Sequence, residues 1–166
     1  MLVRTAVRDD LPEIERITVQ ACAEAFAGIL PPQVAEAERT RVAPGSALRA
    51  ALLAGDLLVG TGADGRIDAI AMLSLEDDVV EMRTMLASGH PSREPSVTDF
   101  VAAVRRRGWA GPITSEAVLG NEPHESFLES GGFSPGEVVA QDIEGHVLFR
   151  RRWWLPAQVE RLHGTG

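Results

Sequence analysis

Four histidines, His90, His124, His146 and His163, are the side chains of this sequence able to move a proton near neutral pH, for it contains no tyrosine and no lysine. His124 falls in Asn121-Glu-Pro-His-Glu-Ser-Phe-Leu-Glu-Ser-Gly-Gly-Phe133, where the only asparagine of the chain precedes a short helical pattern that stops at Gly131 and Gly132. An asparagine can cap a helix start by accepting main-chain N–H bonds, and Pro123 fits the first turn, so His124 is expected on that turn. No two histidines have metal-ligand spacing with a third ligand, and spacing assembles no Ser-His-Asp set. No metal site is expected. The single Cys22 permits neither an internal disulfide nor a cysteine-based zinc site. Its place on an apolar helical stripe assigns it to the core.

The elements that must position these groups follow from periodicity and punctuation. Leu2 to Val7 is rich in β formers and reads as a first strand. Asp9 or Asp10 then caps a helix that carries Leu11, Ile14, Ile17, Val19, Cys22 and Phe26 at near-helical spacing and closes at Gly28. Pro31-Pro32 opens a second helix to about Arg41, and Ser46 to Leu53 forms a third. Asp56 to Thr61 and Arg66 to Leu75 flank a Gly62–Gly65 turn as an antiparallel hairpin, followed by a strand from Val79 to Leu86. Pro95 to Arg107 makes an amphipathic helix through Val97, Phe100, Val101 and Val104. A strand from Ile113 to Leu119, the helix begun by Asn121, and a hairpin of Glu137 to Gln141 with Gly145 to Arg151 complete the order.

Length and composition narrow the class. A chain of 166 residues, 45% hydrophobic, can bury one sizeable core, and the expected organisation is a single domain over 1–152 with a tail over 153–166. No apolar run reaches the roughly 20 residues needed to span a bilayer. The first ten residues become charged too early for a secretory signal, so a cytoplasmic location is expected. The net charge of −8 repels phosphate backbones, and the only basic clusters are Arg105-Arg106-Arg107 and Arg150-Arg151-Arg152. The first of these offsets a helix dipole. Neither nucleic acid nor membrane is expected as a partner. Trp153-Trp154-Leu155 with the last hairpin either covers the core or forms a homodimer interface.

The Asn121–Phe133 segment resembles the C-terminal half of the GNAT acetyltransferase superfamily, where Asn-x-x-Ala-x-x-Phe-Tyr-Glu-x-x-Gly-Phe is common; here Leu128 holds the Tyr place. Glu81-Met-Arg-Thr-Met-Leu-Ala87 resembles the fourth strand of that family, and Ala25-Phe-Ala-Gly-Ile-Leu-Pro-Pro32 a segment that follows its first helix. The element order agrees across nearly the whole chain. The resemblance implies an α/β (α+β) GNAT fold: a central, mixed, mostly antiparallel sheet of about seven strands with helices on both faces.

The resemblance also implies a cofactor, acetyl-CoA or another acyl-CoA, held where the fourth and fifth strands part. Met85, Leu86, Ala87, Asn121 and Phe127 then contact it, with its diphosphate on the loop and first helical turn at Arg93, Ser96, Val97 and Thr98. That loop, Arg93-Glu-Pro-Ser-Val-Thr98, lacks the family's glycines; Pro95 removes an amide donor and Glu94 adds a negative charge. Glu81 occupies the place of a carboxylate that takes a proton from the amine, although by its residue type alone it reads as a strand-face partner of Arg83 or another arginine. His124 takes the place of a small residue and can meet the ligand, block the cleft or face solvent.

Two functions are therefore expected as alternatives. One is an acyltransferase that moves an acetyl or other acyl group to an amine of a small molecule or peptide terminus, the acidic balance favouring a cationic acceptor. The other is a GNAT-fold protein with an impaired cofactor site, serving as a ligand-binding or protein-interaction module. Loop chemistry separates them, because only the first requires CoA to bind.

Overall fold

The computed structural model describes residues 3–87 and 96–159. Seven strands, β1 (Val3–Thr5), β2 (Leu57–Thr61), β3 (Ile67–Glu76), β4 (Val79–Leu86), β5 (Ile113–Val118), β6 (Ser134–Ile143) and β7 (His146–Leu155), form one sheet in the order β1-β2-β3-β4-β5-β7-β6. Among the described residues, only the β4–β5 pairing is parallel. The helices are α1 (Leu11–Phe26), α2 (Pro32–Val42), α3 (Gly45–Ala54), α4 (Val97–Arg106) and α5 (Glu122–Ser130). No helix among the described residues is long and apolar enough to cross a membrane.

Alternation along the central strands separates the two cores. Leu57, Val59, Ile70 and Met85 pack with Ile14 and Ile17 of α1 and Leu48 of α3. Leu58, Ala71 and Met82 point the other way, onto Phe100 and Val104 of α4 and Leu128 of α5. Successive strand residues face opposite sides, so an apolar run such as Leu57-Leu58-Val59 is the mark of a strand covered on both faces. Phe100 and Phe127 meet edge to face with centroids 6.3 Å apart, tying α4 to α5. Asp77 and Asp78, both at positive φ, close the β3–β4 hairpin in two residues.

The last hairpin is longer than expected at its open end. β6 begins at Ser134 rather than Glu137, despite Pro135 and Gly136, and its register shifts between Pro135 and Val138. Proline costs little there because β6 is the sheet edge, where one side of the strand has no ladder bonds to lose. β7 runs on to Leu155 instead of stopping at Arg151, so Trp153 and Trp154 belong to a strand and alternate between its faces. Trp153 is buried with α4 and α5, whereas Trp154 is exposed on the opposite face. The two tryptophans therefore do not make one exposed cluster.

Candidate functional site

The parallel ladder between β4 and β5 contains only two residue pairs, Val80 with Ile113 and Glu81 with Thr114. Beyond them β4 stays with β3 as far as Leu86 and β5 stays with β7 as far as Val118, and the two strands part. The Ser115 hydroxyl donates to the Met82 carbonyl at 2.7 Å and fastens the apex of the opening. The Val80 N–H also points to that side, donating to the Pro112 carbonyl. Main-chain groups alternate along a strand, so those of Thr84 and Leu86 face the opening in turn. Parallel strands that separate leave such groups free to bond an extended ligand.

A cavity of about 710 Å³ fills the opening. Met85, Leu86 and Ala87 line one wall, and Asn121, His124 and Phe127 line the other. Six of the residues expected from the sequence are thus brought together. Across the sheet the cavity continues between α1 and the strands, where Cys22, Phe26, Arg83, Glu116 and Arg150 border it. Burial pushes the Cys22 thiol pKa up, which keeps it protonated and un-nucleophilic.

His124 reaches across the opening from α5, its Nε2 2.7 Å from the Thr84 hydroxyl. Desolvation lowers its pKa to about 4, so the imidazole is neutral at pH 7. Glu81 lies at the closed end of the β4–β5 pair, is bonded to Arg83 at 3.1 Å, and does not line the cavity. Leu128, in the Tyr place, is fully buried in the core beneath α5. Arg93 and His90 lie outside the described residues, as does His163.

Of the remaining expected contacts, Val97 is fully buried, Thr98 is exposed, and Ser96 is the residue before α4. The Asp99 carboxylate accepts both the Ser96 N–H at 2.8 Å and its hydroxyl at 3.0 Å. This capping arrangement satisfies an orphan donor at the helix start with the chain's own carboxylate. It engages the Ser96 groups that were expected to receive an anion.

The Gly131-Gly132 stop has a packing reason as well as a conformational one. Gly132 adopts φ +84°, and a methyl group added at Gly131 would overlap Cγ1 of buried, stiff Val97, where α5 ends against the start of α4. Gly131→Ala is expected to destabilise the fold by about 1–2 kcal/mol in urea unfolding, the cost of overpacking a tight contact. An unchanged midpoint would show that Val97 yields freely.

Among the cavity residues that sequence reasoning did not assign to the site are Thr84, Glu116 and Arg150. A glutamate inside the mostly buried strand Ile113–Val118 is the signal that could have marked Glu116. Arg150 was hidden within a run of three arginines, and Thr84 carries no local mark.

No family model matches the chain. A 113-residue stretch is 28% identical to the phosphoglucomutase of Neisseria gonorrhoeae, covering 64% of this chain and 24% of that protein. The chain thus spans about a quarter of the length of the curated relatives it matches. Solved structures align far more completely. A GNAT-family acetyltransferase of Bacillus cereus ATCC 10987 aligns over 95% of this chain and 97% of its own, with a TM-score of 0.62 at 14% identity. The PaiA N-acetyltransferase of Thermoplasma acidophilum, in complex with coenzyme A, aligns over 89% of this chain and 96% of its own, with a TM-score of 0.66 at 15% identity. YncA of Salmonella typhimurium, solved with its cofactor acetyl-CoA, aligns over 94% and 93%, with a TM-score of 0.66 at 18% identity. At these identities the likeness is one of architecture, and the fold of this chain is that of the GNAT acetyltransferases.

Proposed function

We propose that this chain transfers an acyl group from acyl-CoA to an amine of a small molecule or peptide terminus. The observation that carries the reading is the parting of β4 and β5 over an apolar cavity, with the Thr84 and Leu86 main-chain groups directed into it. An amide-bearing, flexible thioester arm suits such a slot, because it can bond the free main chain while its methylenes cover Met85, Leu86 and Phe127. Acyl-CoA, when bound, supplies a thioester whose acyl carbon is attacked by the amine nitrogen as its sulfur leaves and becomes a thiol.

The chain's own contributions are orientation and electrostatics. A strand N–H at Thr84 or Leu86 is suited to stabilise negative charge on the acyl oxygen. Neutral His124, fixed by Thr84, acts as a hydrogen-bond partner in the slot and is too weak a base to collect the amine proton. Glu116 is placed to receive that proton, directly or through water, and Glu81 is not, being held by Arg83 outside the cavity. Asn121 borders the slot at the start of α5, and Arg93, Ser96, Val97 and Thr98 are the residues we assign to the diphosphate end.

Acetyl-CoA is expected to stabilise the protein by about 2.7 kcal/mol at 100 times its dissociation constant. Thermal unfolding with and without acetyl-CoA reads this directly, and thiol release in the presence of amines reads turnover. The competing reading, a binding module on this fold, draws on one observation: the Asp99 carboxylate already takes the Ser96 N–H and hydroxyl at the start of α4, where a bound diphosphate would otherwise be received. Absence of any thermal shift or calorimetric heat with millimolar CoA would decide for it.

We also propose self-association through the outer face of the β6–β7 hairpin, where Val138, Val147 and Phe149 are 43%, 48% and 46% exposed. Sedimentation of the purified protein as a monomer at every concentration tried removes this part of the reading.

A further inference from the structure

On the α1 and α2 side of the sheet, the cavity is bordered by charges of both signs. Arg83 on β4, Glu116 on β5 and Arg150 on β7 line it, and the same three line an adjoining hollow of about 350 Å³. Arg150 is paired in register with Val118, two residues from Glu116 on the same strand face. Such diagonal neighbours lie roughly 7–8 Å apart, within reach of long side chains.

The pairing of these charges is incomplete. Arg83 donates from Nη1 to the Val42 carbonyl at 2.7 Å and from Nη2 to Glu81 at 3.1 Å. Arg150 places Nη2 3.1 Å from a Glu38 oxygen that Arg41 already holds, and its buried Nε has no hydrogen-bond partner among the described residues. Glu116 makes no hydrogen bond or ion pair among the described residues. Arg83 and Arg150 are close enough to oppose each other's charge, and Glu116 is close enough to favour that of Arg150.

A guanidinium fork is matched by a carboxylate, and two forks with like charge are relieved by one. A lone anion would approach against the field of a chain with net charge −8, and a simple cationic amine would meet both arginines. A zwitterion carries no net charge and satisfies both signs at close range. We propose that the acceptor is an α-amino acid or a zwitterionic analogue, its carboxylate received by Arg83 and Arg150 and its ammonium by Glu116. The net charge alone favours a cationic acceptor; the cavity lining selects otherwise. The inference rests on the acyl-transfer reading for the fate of the amine, but the binding it asserts needs no acyl-CoA.

The test uses the whole chain without acyl-CoA. L-Methionine, L-glutamate and L-phenylalanine are titrated separately, each beside its α-amide and its decarboxylated amine, with thermal unfolding and calorimetry as readouts. At least one amino acid is expected to bind, with its amide about 30-fold weaker, as loss of a charge-assisted pair requires. Arg83→Gln is expected to reduce binding of the acid to the level of the amide. It is the deciding variant, because Arg150→Met also strips Glu38 of a partner and risks the fold. Glu116→Gln is expected to weaken binding about tenfold. Equal binding of acid and amide, tighter binding of the decarboxylated amine, or binding of none of the three overturns the proposal. If an amino acid binds as expected but releases no thiol from acetyl-CoA, acyl transfer fails and the zwitterion site stands.

Discussion

Replacing Glu38 by alanine is expected to lower the unfolding free energy by about 3–5 kcal/mol, the range for removing one partner of a buried ion pair. Glu38 is 3% exposed and is the one fully buried residue of α2, whose Val34, Ala35 and Val42 are only partly buried against the core. Its carboxylate receives Arg41 at 2.9 and 2.5 Å and Arg150 at 3.1 Å, a contact spanning 112 positions of sequence. Without it, Arg150 would remain over the Phe26 ring, mostly buried, facing Arg83 with a weaker counter-charge. The cost is thus the stranded cation more than the lost bond. Glu38→Gln keeps two acceptor or donor sites and should lose less. Urea unfolding of both variants checks the order; a loss below about 1 kcal/mol for the alanine variant would make the pair equivalent to a surface contact.

Lowering the pH from 7 to 5 is expected to remove about 2 kcal/mol of stability, most of it through His124. Its folded pKa is about 4, pushed down by desolvation, against about 6.5 in the unfolded chain. Between those values the unfolded state binds the proton and the folded state does not. The contribution is therefore complete above about pH 6.5 and declines as pH falls toward 4, by about 3 kcal/mol over the full window. Asp10, Glu13, Glu36 and Glu38 have lowered pKa values, mainly through hydrogen bonds from arginines, so their stabilisation is lost only at lower pH. The interval from 7 to 5 isolates the histidine. His124→Gln, which can still bond Thr84, should show a much flatter stability profile in urea unfolding at the two pH values. Equal losses in wild type and variant would refute the assignment. The same neutral imidazole predicts a rate profile without an inflection from His124 between pH 5 and 8.

The residues that stabilise the slot and those that bind in it overlap only in part. Glu38 orients Arg150 from behind, while Thr84 and His124 bridge the front. A variant at Glu38 should consequently weaken amino-acid binding and stability together, whereas Arg83→Gln should weaken binding with a smaller loss of stability, that of its bonds to the Val42 carbonyl and Glu81. That contrast distinguishes an arginine kept for the ligand from one kept for the fold.

Much of the fold was legible in the chain because its signals are local. The apolar spacing of Ile14, Ile17 and Cys22, the glycine-bounded turn at 62–65 and the Asn121-to-Gly131 helix each depend on a few neighbouring residues. The hairpin limits were less legible, since Pro135 and Gly136 act as breakers in a central strand but are tolerated at an edge. Periodicity and turn residues by themselves indicated the element order, and the resemblance to the GNAT superfamily pointed to an opening beside Met85 to Ala87. Tertiary structure alone decided that Glu81 is tied to Arg83 away from the cavity, that Leu128 turns into the core, and that Thr84, Glu116 and Arg150 meet around one slot. Those outcomes depend on strand register and on which face each side chain takes, and a shift of one residue reverses every such assignment.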